Sequence, residues 1–347
     1  MDIDPLLRKS VLGLRPLDVP ASSPDILRLD GNTNLLGPNP AIRRALEKEA
    51  DVAHYPSAFH DELRAALAVH YGLETGEILV GAGADELIDV AVRTFTNPGD
   101  AVAVAVPTFE LYGFCARLEQ ARLVEVPLNP GFTLDVDALL RAEANLTFVA
   151  SPNNPTGNAH PAPQIERLLK GSAGIVVLDE AYAEYCGQDF LRRVRQFENL
   201  IVLRTFSKAH GLAGLRVGYA AARQVIVERL ARAKLPFTVS ALSERIAIEA
   251  LRDPDHVRRS RESASVEKPW LTERLSALGL HPYPTDANFM LVRVGPRCAA
   301  LVQHLDGKRI RVRAMFKGHG LEGCFRATIG LREHNERLAS AIADFLR

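Results

Sequence analysis

Between about Gly76 and Ala222 the chain alternates short apolar runs with amphipathic stretches. The runs are EILVGAG from Glu77, AVAVAVP from Ala101, RLVEVPL from Arg122, LTFVASP from Leu146, GIVVLDEAY from Gly174, LIVLRTFSK from Leu200 and RVGYAAA from Arg216. Short, valine-rich runs of this kind fit strands buried on both faces. Seven of them predict a mostly parallel sheet covered by helices. The segments between them, such as ADELIDVAVRTF after Gly83 and APQIERLLK after Pro161, carry helical spacing.

The flanks differ. Residues up to about Asp51 are loop-rich, and GNTNLLGPNP is an extended linker. Asp253-Pro254 reads as an N-cap followed by proline at the first helical position, opening a long helix to about Leu278. The remaining tail alternates strand-like runs (ANFMLVRV, RIRVRAMF, CFRATIG) with helices and closes on EHNERLASAIADFLR. The expected organisation is an N-terminal arm and part of a small domain over 1–51, a large α/β domain over 52–253, and the rest of a small α+β domain over 254–347. No internal repeat or low-complexity segment interrupts it.

Composition narrows the function. A chain of 347 residues, at ~150 residues per domain, has room for about two domains. With 47% hydrophobic and 24% charged residues it falls in the globular class, away from disordered and fibrous ones. The 42 basic side chains match 42 acidic ones, so nucleic acid or an anionic membrane is not expected as the main partner. Only 8 of the basic residues are lysines, which makes a lysine at a strand end conspicuous. Cys115, Cys186, Cys298 and Cys324 lie far apart without a CxxC pair, so free buried thiols are expected, with neither a zinc site nor a disulfide scaffold. The first twenty residues lack a basic region followed by an apolar run, and nowhere do about 18 apolar residues follow one another. A soluble cytoplasmic protein is expected.

In a doubly wound sheet ligands bind beyond the carboxyl ends of the strands. Five polar turns fall there: GAGADE, Pro107-Thr108-Phe109, SPNNPTG, Asp179-Glu180-Ala181-Tyr182 and Ser207-Lys208. GAGADE joins a strand to a helix whose first-turn N–H groups suit a phosphate, although such turns are as often purely structural. Lys208 ends an apolar strand, where a desolvated amine attacks a carbonyl; a solvated strand-end lysine is the plain alternative. Asp179 follows IVVL directly and needs a cationic partner: a protonated pyridine nitrogen, a magnesium ion or a structural ion pair. Tyr182 could hydrogen-bond a phenolic oxygen of the same ring or belong to the core. Asn154 offers an amide in a proline-braced loop or simply builds a turn.

Together SPNNPTG, DEAY, TFSKAHGLAGLRVGY and FRATIG resemble the signature of fold type I pyridoxal-phosphate aminotransferases. His54-Tyr55-Pro56, PTFELY from Pro107, PTDANF from Pro284 and the closing FRATIGLRE are similar to its histidinol-phosphate aminotransferase branch, and the likeness runs from Leu29 onward. The resemblance implies that Lys208 forms a Schiff base with pyridoxal 5'-phosphate and then shuttles the proton at the reacting carbon. Asp179 would pair with the pyridine N–H, Asn154 and Tyr182 would bond the phenolate oxygen, and Tyr112 would stack on the ring. Ala84, Asp85, Thr205, Ser207 and Arg216 would hold the phosphate, joined by Tyr55 from a neighbouring subunit, so a homodimer is implied.

Arg326 would grip the substrate's anionic end, with Arg313 as a second arginine unless it is only an exposed strand residue. Asn32 belongs to the substrate side. The chain departs from the branch at Asn32-Thr33-Asn34 (commonly Asn-Glu-Asn), at Leu17 (commonly Tyr) and at Pro236-Phe237-Thr238 (commonly Pro-Tyr-Asn), all near the substrate in that family. The implied reaction is transamination between L-histidinol phosphate and 2-oxoglutarate. An aromatic or specialised amino-acid aminotransferase is the second possibility and a threonine-phosphate decarboxylase the third. A metal-assisted hydrolase at Asp179 and Glu180 lacks an accompanying histidine cluster, and a cofactor-binding regulator lacks room for a DNA-binding appendage.

Overall fold

The computed structural model describes residues 3–16, 23, 25–47, 52–315 and 318–347; Leu17 lies outside them. Each apolar run contains a strand: β1 (Ile78–Gly81), β2 (Ala101–Val106), β3 (Arg122–Pro127), β4 (Leu146–Ala150), β5 (Ile175–Asp179), β6 (Leu200–Thr205) and β7 (Gly218–Ala222). They form one sheet in the order β1-β7-β6-β5-β4-β2-β3. Only β7 runs against its neighbours, β1 and β6.

Successive strand residues point to opposite faces, so each run feeds two cores. Val102, Val104, Phe148 and Val177 pack with Leu87, Ile88 and Cys115, from helices Gly83–Phe95 and Leu111–Leu118. Ala103, Val149, Val176 and Leu178 pack on the other face with Leu63, Leu67, Leu168 and Leu169, from helices Asp61–Tyr71 and Ala162–Gly171. Burial on both faces fails for β3. It is the sheet's edge, and only Val126 of its six residues is buried. Its Arg122 and Glu125 are the polar positions an edge strand tolerates.

A second sheet, ordered β10-β11-β9-β8, is antiparallel and built from β8 (His281–Pro282), β9 (Phe289–Arg293), β10 (Arg313–Met315) and β11 (Cys324–Thr328). The RIRVRAMF run divides at Val312. Ile310–Arg311 pairs in parallel with Leu27–Arg28 from the start of the chain, and β10 pairs with β11. Leu29 is buried there with Leu271, Met290, Leu301, Phe325 and Leu338. Ala41 and Ala45, on helix Ala41–Leu46, instead join Leu63 and Leu67 in the core of the large sheet. The long helix is Asp255–Ala277, starting one residue later than expected: Pro254 is the N-cap, and the Asp253 carboxylate accepts from the Asp255 N–H at 3.1 Å. All four cysteines are unpaired, and Cys115, Cys298 and Cys324 are buried.

Two buried histidines give the fold a pH dependence. Burial pushes His160 down to about 4 and His210 down to about 3, against an ordinary value of 6.5, and neither Nδ1 has a hydrogen-bond partner. Between those values and pH 6.5 the unfolded chain binds more protons than the folded one. Their contribution is therefore complete above pH 6.5 and is lost as the pH falls toward 4. Urea unfolding midpoints of the cofactor-free protein should drop between about pH 7 and pH 4.5. The drop should be smaller when His160 and His210 are both replaced by glutamine; an equal drop would remove these two residues as its cause.

Candidate active site

The five polar turns converge at the carboxyl ends of the parallel strands, around a cavity of about 320 Å³. Gly31, Asn32, Ala84, Asp85, Tyr112, Asn154, Asp179, Tyr182, Thr205, Ser207, Lys208, Arg216 and Arg326 line it. These come from both parts of the fold, because β11 delivers Arg326 and the segment after Leu29 delivers Gly31 and Asn32.

One end of the cavity is an anion cup. β1 ends at Gly81, and the helix Gly83–Phe95 begins two residues later with its N–H groups facing the strand ends. Arg216 is pressed against that turn in a left-handed conformation (φ 53°). A Cβ on Gly83 (φ 79°) would stand 2.5 Å from Arg216 Nη2, and one on Gly218 would stand 2.4 Å from the Ala84 nitrogen, so both positions need glycine. Arg216 donates to Asp85 Oδ2 at 2.9 Å and to Ser207 Oγ at 3.3 Å, while the Thr205 hydroxyl donates to Ser207 Oγ at 3.0 Å. A guanidinium, two hydroxyls and a helix N-terminus on one small space suit a phosphate.

Asp179 ends β5 at the cavity's other side and is buried, which raises its carboxyl above the ordinary value of 3.8. The Tyr112 hydroxyl donates to its Oδ2 at 2.6 Å and the Ala181 N–H to its Oδ1 at 3.0 Å; both bonds oppose that rise. The resemblance gave Tyr112 a stacking role; its hydroxyl also has a task of its own, the bond to Asp179. The ring is 0% exposed, lies flat on Phe148 at 4.8 Å and spends its hydroxyl on Asp179. Phe109, set edge-on to Tyr112 at 5.7 Å, lines the cavity beside it.

Lys208 Nζ donates to the Gly31 carbonyl at 3.0 Å and lies 5.4 Å from the centre of the Tyr182 ring. Arg326 is buried, which lowers its guanidinium from the ordinary value, with Arg313 adding to the effect. It donates to Asn154 Oδ1 and to the Asp30 carbonyl, and its Nε has no partner. Arg313 sits directly across the β10–β11 ladder from Arg326, so the two side chains share one sheet face. It does not line the cavity and pairs with Glu110 at 3.5 Å. Tyr55 is also outside the cavity, 83% exposed and packed on Phe237 at 4.9 Å. Thr238 is likewise outside it and donates to Glu86 Oε2 at 2.8 Å.

Among the cavity residues, Phe109, Gly31, Ala150, Pro152 and Ala213 are not given site roles by the sequence. Phe109 had a signal, as the third residue of a turn already flagged; the Gly31 carbonyl had none.

The donor set fits pyridoxal 5'-phosphate: a cup for the phosphate, a buried carboxylate for the ring nitrogen and a lysine on the same cavity. The unpartnered Arg326 Nε and Asn32 Oδ1 are buried polar atoms of cavity-lining residues. Residues 24–342 match the class I and II aminotransferase family, and the chain belongs to it. It is a pyridoxal-phosphate-dependent aminotransferase. Over 333 residues it is 39% identical to the histidinol-phosphate aminotransferase of Roseiflexus castenholzii, covering 92% of this chain and 89% of that one. It is also 39% identical to the chloroplastic histidinol-phosphate aminotransferase of Nicotiana tabacum, covering 92% and 79%. The crystal structure of histidinol-phosphate aminotransferase from Sinorhizobium meliloti in complex with pyridoxal-5'-phosphate superposes with a TM-score of 0.89 at 27% identity, over 98% and 97% of the two chains.

Proposed function

We propose that this enzyme transfers the amino group of L-histidinol phosphate to 2-oxoglutarate, giving imidazole acetol phosphate and L-glutamate, as a step of histidine biosynthesis in the cytoplasm. The observation that carries this reading is the cavity-lining Arg326, whose Nε finds no partner among the described residues, with Arg313 directly across the strand ladder from it. A paired guanidinium site suits a phosphate on one substrate and a carboxylate on the other. The relatives' names support the same choice of substrate.

When bound, the cofactor supplies an electron sink for the bond broken at the substrate's amino-bearing carbon. The protein's residues would do the rest. Lys208 holds the cofactor and then moves the proton; Asp179 keeps the ring nitrogen protonated; Asn154 and Tyr182 bond the ring's phenolic oxygen. Phe109 covers the ring face, while Arg216, Ser207, Thr205 and the first turn at Ala84 and Asp85 hold the phosphate. The exposed Tyr55–Phe237 pair belongs, in this proposal, to a homodimer interface that carries Tyr55 to the neighbouring phosphate cup.

The test is a panel of single half-reactions with the cofactor-loaded protein, following conversion of its visible absorption to that of the amine form. L-Histidinol phosphate should convert it and 2-oxoglutarate should restore it. Conversion by phenylalanine or another amino acid but not by L-histidinol phosphate would overturn the substrate assignment and leave the aminotransferase chemistry standing.

A further inference from the structure

We propose that Asn32 is a positioning residue for Tyr182, directing the tyrosine's proton toward the phenolic oxygen of the bound cofactor. The inference rests on the reading of Tyr182 given above and assigns Asn32 a role other than substrate contact. Asn32 is 1% exposed and has a left-handed backbone (φ 51°), a conformation that asparagine adopts more readily than most residues. Its own N–H donates to Thr328 Oγ1 at 3.0 Å, and its carbonyl accepts from Asn288 Nδ2 at 3.1 Å. With the backbone held from both sides, its side-chain amide crosses to the other part of the fold and donates to the Tyr182 oxygen at 3.0 Å.

A phenol has one proton to give and can accept at its oxygen. The accepting side of Tyr182 is taken by Asn32, and among the described residues no acceptor is placed for the proton itself. Donation to the oxygen also polarises the O–H, strengthening the bond it donates onward. Lys208 lies over the Tyr182 ring, Arg326 bears on it electrostatically, and Tyr112 and Tyr185 lie near it; none of these gives its oxygen a hydrogen bond.

The consequence is spectroscopic. A donor to the ring's phenolic oxygen favours the form with no proton on the neighbouring imine nitrogen, because the oxygen then carries an uncompensated negative charge. Weakening that donor raises the pH at which the visible absorption titrates. The experiment compares these midpoints in wild type, Asn32→Gly, Asn32→Asp, Tyr182→Phe and the Asn32→Gly/Tyr182→Phe double variant, each loaded with pyridoxal 5'-phosphate. Glycine keeps the left-handed backbone and deletes only the amide. Asn32→Gly should raise the midpoint by about half a pH unit. Asn32→Asp should raise it further, because a carboxylate takes the Tyr182 proton for itself. With phenylalanine at 182 the glycine substitution should shift nothing, which a merely structural role would not produce. An unshifted midpoint in Asn32→Gly, or the same shift without the Tyr182 hydroxyl, overturns the proposal. A wild-type protein that binds no cofactor overturns the cofactor reading itself, and this inference falls with it.

Discussion

Alanine at Lys208 leaves the protein folded and lowers its transamination rate by at least about 10⁴-fold. Among the described residues Lys208 is the one lysine lining the cavity, so no second amine stands by to replace it. In the proposed reaction it would act twice, first as nucleophile and then as acid and base at the reacting carbon, and both functions would disappear together. The fold loses little, because the ammonium makes one hydrogen bond, to the Gly31 carbonyl, and belongs to no ion pair among the described residues. A circular dichroism spectrum like that of wild type, with glutamate formation at background, is the expected pair of results. A variant that turned over at the wild-type rate would remove Lys208 from the chemistry.

Asn at Asp179 should lower turnover by about 10²–10³-fold, comparable to removing a buried charge-stabilising group from other active sites. In the proposed role the carboxylate would keep a proton on the ring nitrogen, and a neutral amide cannot do so. The same substitution changes stability in a calculable direction. Burial raises the Asp179 carboxyl above its ordinary 3.8 in the cofactor-free protein, so its favourable contribution is complete below that value and is lost as the pH rises through the raised one. Asp179→Asn should remove this acid-range slope from the cofactor-free protein while abolishing most activity. Steady-state rates and urea midpoints at two pH values measure both effects. Unchanged turnover would exclude the pairing.

The strands were legible because a strand buried on both faces must be apolar throughout, and AVAVAV or GIVVL cannot be much else. The direction of β7 was not legible: GYAAA reads the same whether it runs with or against its neighbours. Nor was the exposure of β3, since edge position depends on strand order. In the site, Asp179 stood out because it follows IVVL directly, and Tyr182 and Lys208 because they lie in the turns just past strand ends, which open at the sheet's mouth. The contact of Tyr112 with Phe148 and the place of Phe109 on the cavity wall were not legible, because only the packing of their segment shows them. The Asn32–Tyr182 and Lys208–Gly31 bonds join residues more than a hundred positions apart, and no local pattern encodes such a meeting.

The pairing of Leu27–Arg28 with Ile310–Arg311 has a consequence for synthesis. During synthesis Leu27 and Arg28 find their strand partner only after some 280 further residues have been added. The large sheet, complete at Ala222, can assemble well before then, since domains fold as units during synthesis. Its phosphate cup and Lys208 can therefore form while Gly31 and Asn32 still lack the β11 residues Arg326 and Thr328 that hold their segment in place. A nascent chain would then expose a reactive lysine without the enclosure that disciplines it. The cavity is completed late, when Arg326 and Thr328 fasten the segment at Asp30 and Asn32 in place.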